Sequence, residues 1–427
     1  MVFFNNKNWL LTKVFLSVVG AWPFQSSQKR CVLGFSSVLM VLSLLVAEIF
    51  GLIKARKNTS IVIECMTMIM LHVGSLVYLI HLFLNHEKMK QLLKEIEQFW
   101  KSTLSNNEIY ILKNSTSTNR KITHSYIYFS LISTALFASL PIIPKILDVI
   151  VPLNESRPTN FMYQSEYFID PIKYENLIFI HSYILTIYLS IIIFGYDALY
   201  SNLAQHISNM FIIISDRVKD TQLFDKNIES IDLSSKYDYH VNFFTECVRQ
   251  HQIAQKFSYN VKSIYDVPLF FMLGLNMMAL SLAGCQDIVI LYLSLFLNNI
   301  SIKYNTNKLF IFIFFSNMSM VLLSLDQISQ AMRFFIYAIC ALIHLYFLSW
   351  AGQKVIDSSS ELHQSIYQSD WYQANNSTKY FLIIFMMGCF KPCNLTAGKL
   401  WILSTESFTV VLNTAVSFFT LFNSTQQ

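Results

Sequence analysis

Seven long apolar runs punctuate this chain, near residues 31–53, 61–84, 122–143, 177–200, 264–286, 331–350 and 400–422. Roughly 20 apolar residues carry a helix across the hydrocarbon layer of a bilayer, where a helix bonds all of its own backbone groups. Breakers are scarce, with 10 Gly and 8 Pro in the whole chain. Charged residues make up 13% of it, about half the share usual in a soluble domain. The sequence therefore predicts an all-α fold, a seven-transmembrane helical bundle. A further apolar run at 380–390 is too short to cross and ends at Lys391-Pro392, so it is expected as a buried helix just ahead of the last span.

Basic residues gather on the cytoplasmic side of membrane proteins. With the N-terminus in the cytoplasm, the inner segments 1–30, 85–121, 214–263 and 351–399 hold 22 of the 31 Lys and Arg, and the outer segments hold 8. The N-terminus is thus expected inside and the C-terminus outside, with Lys54-Ala55-Arg56-Lys57 the one loop against. The chain then divides into a cytoplasmic N-terminus (1–30), six spans with cytoplasmic helical extensions (31–350), a cytoplasmic anchor region of helices (351–399), and a last span with a short extracellular tail (400–427). This orientation puts the sequons at Asn58, Asn154 and Asn423 outside. The apolar stretch Trp9 to Gly20 lacks a small-x-small cleavage site and is not expected to be a signal peptide.

The inner segments read as helices. Residues 87–100 put Leu92, Leu93, Ile96, Phe99 and Trp100 on one side, with Lys and Glu on the other. Two arrangements stay open: helices lying on the membrane surface, or helices packed together as a cytoplasmic domain.

Other classes lack their chemistry. The seven Cys are scattered with no CxxC, so neither a zinc site nor a disulfide framework is expected. No basic block with interleaved aromatics suggests nucleic acid. No GxSxG, HExxH or paired Asp arrangement lies inside the spans, so neither an enzyme nor a cofactor is expected. His181, Asp197, Asp266 and Asp287 lie in or at the edges of spans, where a charge implies a cavity, a partner or a function.

Near the C-terminus stands Lys391-Pro392-Cys393-Asn394-Leu395-Thr396-Ala397-Gly398-Lys399-Leu400, followed by Ser407-Phe408 and then Val411-Leu412-Asn413-Thr414-Ala415-Val416-Ser417-Phe418-Phe419-Thr420-Leu421. This resembles the recurrent signature of insect odorant receptors. Weaker echoes are Val19-Gly20-Ala21-Trp22-Pro23, the spacing of Asp197, His206, Phe211 and Arg217, and Phe347-Leu348-Ser349-Trp350-Ala351-Gly352-Gln353.

The resemblance implies a tuning subunit of an odorant-gated, non-selective cation channel in the plasma membrane of olfactory sensory neurons. It implies assembly with the shared co-receptor as a heterotetramer, with a small volatile apolar odorant, permeating cations and the lipid bilayer as the other partners. The last span would line the pore and the odorant would sit in the outer half of the helix bundle. The residues themselves bear on the pore: Asn413, Ser417, Thr420 and Ser424 recur at spacings of 4, 3 and 4, a polar stripe on an apolar helix, and Leu421 beside it suits a dewetting gate. The same hydroxyls could instead bond within or between helices. Candidate odorant contacts are Met66, Met70 and Val73 on span two, Ser133, Phe137 and Leu140 on span three, Tyr183 and Ile187 on span four, and Phe335 and Ala338 on span six. For each of them ordinary helix packing is the other reading.

A gustatory receptor shares this architecture, but the last span lacks the Thr-Tyr…Gln-Phe pattern. A G-protein-coupled receptor would need the opposite charge bias and the Asp/Glu-Arg-Tyr and Asn-Pro-x-x-Tyr motifs, which are absent. One stretch falls outside the resemblance. Residues 288–320 contain no Ala, Gly, Pro, Arg, Asp, Glu, Gln, His, Cys or Trp, and Phe, Ile, Leu, Asn, Lys and Tyr dominate. These absences include every residue with obligatorily GC-rich codons, so the stretch reads as a translated AT-rich intron; as real protein, its two short apolar runs around a polar tip would form a re-entrant hairpin.

Overall fold

The computed structural model describes residues 3–102, 104–150, 161–227, 233–284, 325–369, 371–373 and 376–426. Eleven helices are described: α1 (Leu10–Val18), α2 (Ser27–Ala55), α3 (Thr59–Leu84), α4 (His86–Lys101), α5 (Asn106–Ser139), α6 (Ile143–Ile150), α7 (Glu175–Asn227), α8 (Leu233–Gly284), α9 (Leu325–Gln368), α10 (Asn376–Cys389) and α11 (Thr405–Gln426). A two-stranded hairpin of β1 (Thr396–Ala397) and β2 (Trp401–Ile402) precedes α11. Six of the described helices are long and apolar enough to cross a membrane. With α11 they make the seven-transmembrane bundle. The stretch 288–320 and Asp287 lie outside the described residues, as does the sequon at Asn154.

Spans four, five and six are the apolar parts of much longer rods. At 53 residues, α7 extends about 80 Å, well over twice the hydrocarbon thickness. Its lower half is the post around which the bundle is built, buried almost continuously from Tyr196 to Ser215. Several polar side chains on that post are matched to neighbouring helices. Thr123 and Asn119 of α5 bond Ser201, Thr12 of α1 accepts from Asn202, and Ser115 of α5 accepts from Gln205. Burying such groups unmatched would cost free energy, so the pairs set which faces meet.

The amphipathic helices pack inward. On α4, Met89, Leu92, Leu93 and Ile96 are buried, and Phe99 meets His206 of α7 with ring centroids 4.9 Å apart. The α5 N-terminus carries a capping box of Ser105 and Glu108, and the same Glu108 accepts from Arg217 Nε of α7 at 2.5 Å. The short helix α10 lays Leu382, Phe385 and Cys389 against α8 and α9, with Phe385 edge-on to His251.

The last helix starts at Thr405, later than the expected 400, because residues 394–403 turn back as the hairpin. Gly398 and Lys399 both take positive φ (64° and 59°) within the three-residue loop that joins Ala397 to Trp401, and the Leu400 amide donates to the Ala397 carbonyl across them. Asp266 of α8 holds this turn: its carboxylate accepts from Thr396 Oγ1 at 2.6 Å and Lys399 N at 2.9 Å, and its carbonyl accepts from Gly398 N. Gly352 of α9 lets the hairpin lie close, since a Cβ there would stand 2.2 Å from the Leu403 carbonyl oxygen. Next to it, Gln353 Oε1 accepts from the Thr405 amide at 3.1 Å and closes the start of α11.

Candidate functional site

A cavity of about 130 Å³ lies among α3, α5, α7, α8 and α9. Its walls are mostly apolar: Met68 and Leu71 from α3, Phe137 from α5, Leu189 and Ile193 from α7, Met272 from α8. These come together because each helix turns one face inward over two or three turns. Gly74 leaves room for the Met272 side chain, for a Cβ there would meet its Sδ at 2.6 Å.

At one end of the cavity lies a hydrogen-bonded chain. Tyr126 of α5 donates to Asp197 Oδ2 at 2.6 Å, His344 of α9 reaches Asp197 Oδ1 at 3.3 Å, and Asn276 of α8 lies 3.4 Å from His344 Nδ1. Asp197 is fully buried, and these bonds explain a carboxyl in the middle of a bundle. Beyond it Tyr78 and Tyr196 stack with centroids 3.6 Å apart, so the space ends in packed rings. Asp266, by contrast, serves the hairpin, and His181 bonds Tyr167 and Ser43 away from the cavity.

At the other end, the segment 161–174 dips between the helices. Tyr163 lines the cavity and shares a hydrogen bond with Thr186 at 2.7 Å. A buried ion pair holds the start of this segment: Arg333 of α9 donates to Glu64 of α3 at 2.7 Å and to the Phe161 carbonyl at 3.3 Å. Further along, Glu166 N donates to the Ala47 carbonyl and Gln164 presses on Gly51, whose Cβ position is 2.1 Å from the Gln164 carbonyl oxygen. The arrangement can enclose a molecule of about benzene size, an apolar ligand having taken a cavity of about 150 Å³ elsewhere.

A match to the family described as 7tm Odorant receptor runs over residues 58–302 and 307–416. The chain belongs to that family. Odorant receptor 13a of Drosophila melanogaster is 34% identical over 108 residues, 23% of this chain and 26% of the relative. The odorant receptor coreceptor of Aedes aegypti is 26% identical over 83 residues, 19% of this chain and 17% of that one. The receptor thus aligns with about a quarter or less of each of these relatives. The solved structure of the insect olfactory receptor OR5 from Machilis hrabei in complex with eugenol is 12% identical, with a TM-score of 0.72 over 98% of both chains, and so shares the fold.

Of the odorant contacts expected in the receptor, Ser133 and Phe137 line the cavity. Met66, Met70 and Val73 share one face of α3, roughly half a turn from the lining Met68, Leu71 and His72 at about 100° per residue. Leu140 is buried in the turn beyond α5, and Tyr183 donates to the Ala138 carbonyl at 2.8 Å. Ile187 is exposed on the outside of the bundle. On α9, Phe335 and Ala338 flank the lining Tyr337, Ala341 and His344. Among the lining residues that sequence reasoning passed over are His72, Thr134, Asn276 and His344, all polar within apolar runs. That polarity was the available signal, since a polar group in a span turns toward the bundle interior.

On α11, Asn413 and Ser417 are exposed on the face away from the chain's own core, while Val411 and Ala415 are buried against it. Glu406 and Thr409 extend the exposed face toward the helix start. Thr420, Leu421 and Ser424 continue the helix, and their side chains lie outside those described.

Proposed function

We propose that the receptor is the tuning subunit of an odorant-gated, non-selective cation channel, formed with the odorant receptor co-receptor in the plasma membrane of olfactory sensory neurons. The observation that carries this reading is the outward polar face of α11, Glu406, Thr409, Asn413 and Ser417. Such a face gains nothing from lipid, whereas water in a shared pore solvates it. Uncharged side chains at Asn413 and Ser417 suit weak, poorly selective passage, with Thr420 and Ser424 continuing the stripe and Leu421 as the dewetting gate. The cavity is the odorant site, and the N-terminus is cytoplasmic.

Assembly draws support from α10. At 14 residues it is too short to cross a bilayer, yet Tyr380, Ile384 and Met387 form an exposed apolar stripe along it. A partner subunit is a fitting cover for such a stripe. Co-expression with the co-receptor, with current recorded during odorant application, tests the channel. Cysteines placed one at a time from 413 to 424 should then give positions where a pore-permeant thiol reagent changes the current. Silence at every position would remove α11 from the pore.

A further inference from the structure

Nearly every polar group around the cavity finds its partner inside the protein. Thr134 and Ser190 bond carbonyls one turn back, Thr186 donates to the Ser182 carbonyl, and Tyr126 and His344 turn to Asp197. His72 is different. Its Nδ1 lies 2.7 Å from Glu48 Oε2 of α2, with the two side chains only 1% and 2% exposed. Its Nε2 has no hydrogen-bond partner, although His72 lines the cavity. One edge of the ring is held by Glu48, and the opposite edge is left for whatever occupies the space.

With Glu48 on Nδ1 and Nε2 unpartnered, the ring has one polar atom left to offer the cavity, and in the tautomer that carries its hydrogen on Nε2 that atom donates.

From this we infer that His72 is a specificity-determining residue, donating from Nε2 to a small neutral odorant that bears an acceptor oxygen, such as a ketone, aldehyde or ester. The inference rests on the cavity being the odorant site. It predicts discrimination against hydrocarbons of the same shape, which leave the donor unsatisfied. A single hydrogen bond of this kind is worth about three- to tenfold in affinity.

The test uses the purified full-length receptor in detergent micelles and the isosteric probes 2-hexanone and 2-methyl-1-hexene, in which a methylene replaces the carbonyl oxygen. Affinity is read from the probe-dependent rise in unfolding temperature, with no current required. Wild type should hold the ketone about three- to tenfold more tightly than the alkene. His72→Phe should erase that preference, while His72→Gln, which keeps a donor near the Nε2 position, should preserve it. Equal affinities in wild type, or a His72→Phe loss common to both probes, overturns the assignment. Failure of both probes to bind wild type overturns the odorant-site reading and the assignment with it, whereas binding without current bears on the channel alone.

Discussion

At the scale of single residues, the bundle depends on ionisable side chains that the span pattern conceals. Arg333 and Glu64 are each buried to about 6% exposure and bonded at 2.7 Å, between the α9 rod and α3. Removing one partner strands the other charge, at a cost of about 3–5 kcal/mol. Arg333→Met should therefore lower the unfolding temperature of the detergent-solubilised receptor well below wild type. Adding Glu64→Leu to the same chain should recover most of the loss, because no charge is then left unpaired. Such residues were only partly legible. Asp197 stands out in the sequence, but its partners Tyr126 and His344 lie 71 and 147 residues away, and nothing local announces them. The face of α3 that meets the cavity was hidden for a related reason: Met66 and Met68 are equally apolar, so hydropathy does not tell which of them lines it.

At the scale of elements, the existence of each span was readable and its ends were not. A run of 20 apolar residues announces a crossing, but α7 continues past it, its stretch from Tyr196 to Val218 held by packing rather than by hydropathy. The start of α11 was hidden for another reason. Trp401 and Ile402 look like the opening of a membrane helix, yet they pair with Thr396 and Ala397 in the hairpin that Asp266 holds. The positive φ of Gly398 and the 2.5 Å gap between its Cβ position and Phe270 make this turn intolerant of a side chain. Gly398→Ala should cost about 2 kcal/mol or more in stability. The same loss should follow from Asp266→Ala, which leaves the Lys399 amide and Thr396 hydroxyl without their acceptor. Thermal unfolding of the two variants beside wild type checks this, and an unaltered unfolding temperature for Gly398→Ala would refute it.

At the scale of the whole molecule, apolar surface lies where a single chain in a bilayer does not require it. Ile384 and Met387 on α10 are each about 70% exposed, on a helix too short to span. With lysine at both positions, the receptor should retain its helical circular dichroism yet no longer co-purify with the co-receptor. Retained co-purification would place the contact elsewhere. The chain length itself carries a second expectation. If residues 288–320 are intronic, transcripts from the expressing tissue will join the codons on either side directly, and cDNA carrying the stretch in most clones removes that reading.

Between the cavity and the start of α11 runs one unbroken stretch of α9. His344 lines the cavity and Gln353, nine residues on, holds the Thr405 amide. Those positions stand about 14 Å apart along the axis, with no hinge between them in a continuous helix. We expect such a rod to act as a crank, with a tilt or twist imposed beside His344 carried to Gln353 as displacement. Gln353→Ala would loosen the crank pin alone, leaving odorant affinity in purified receptor unchanged while reducing the current that the same odorant evokes.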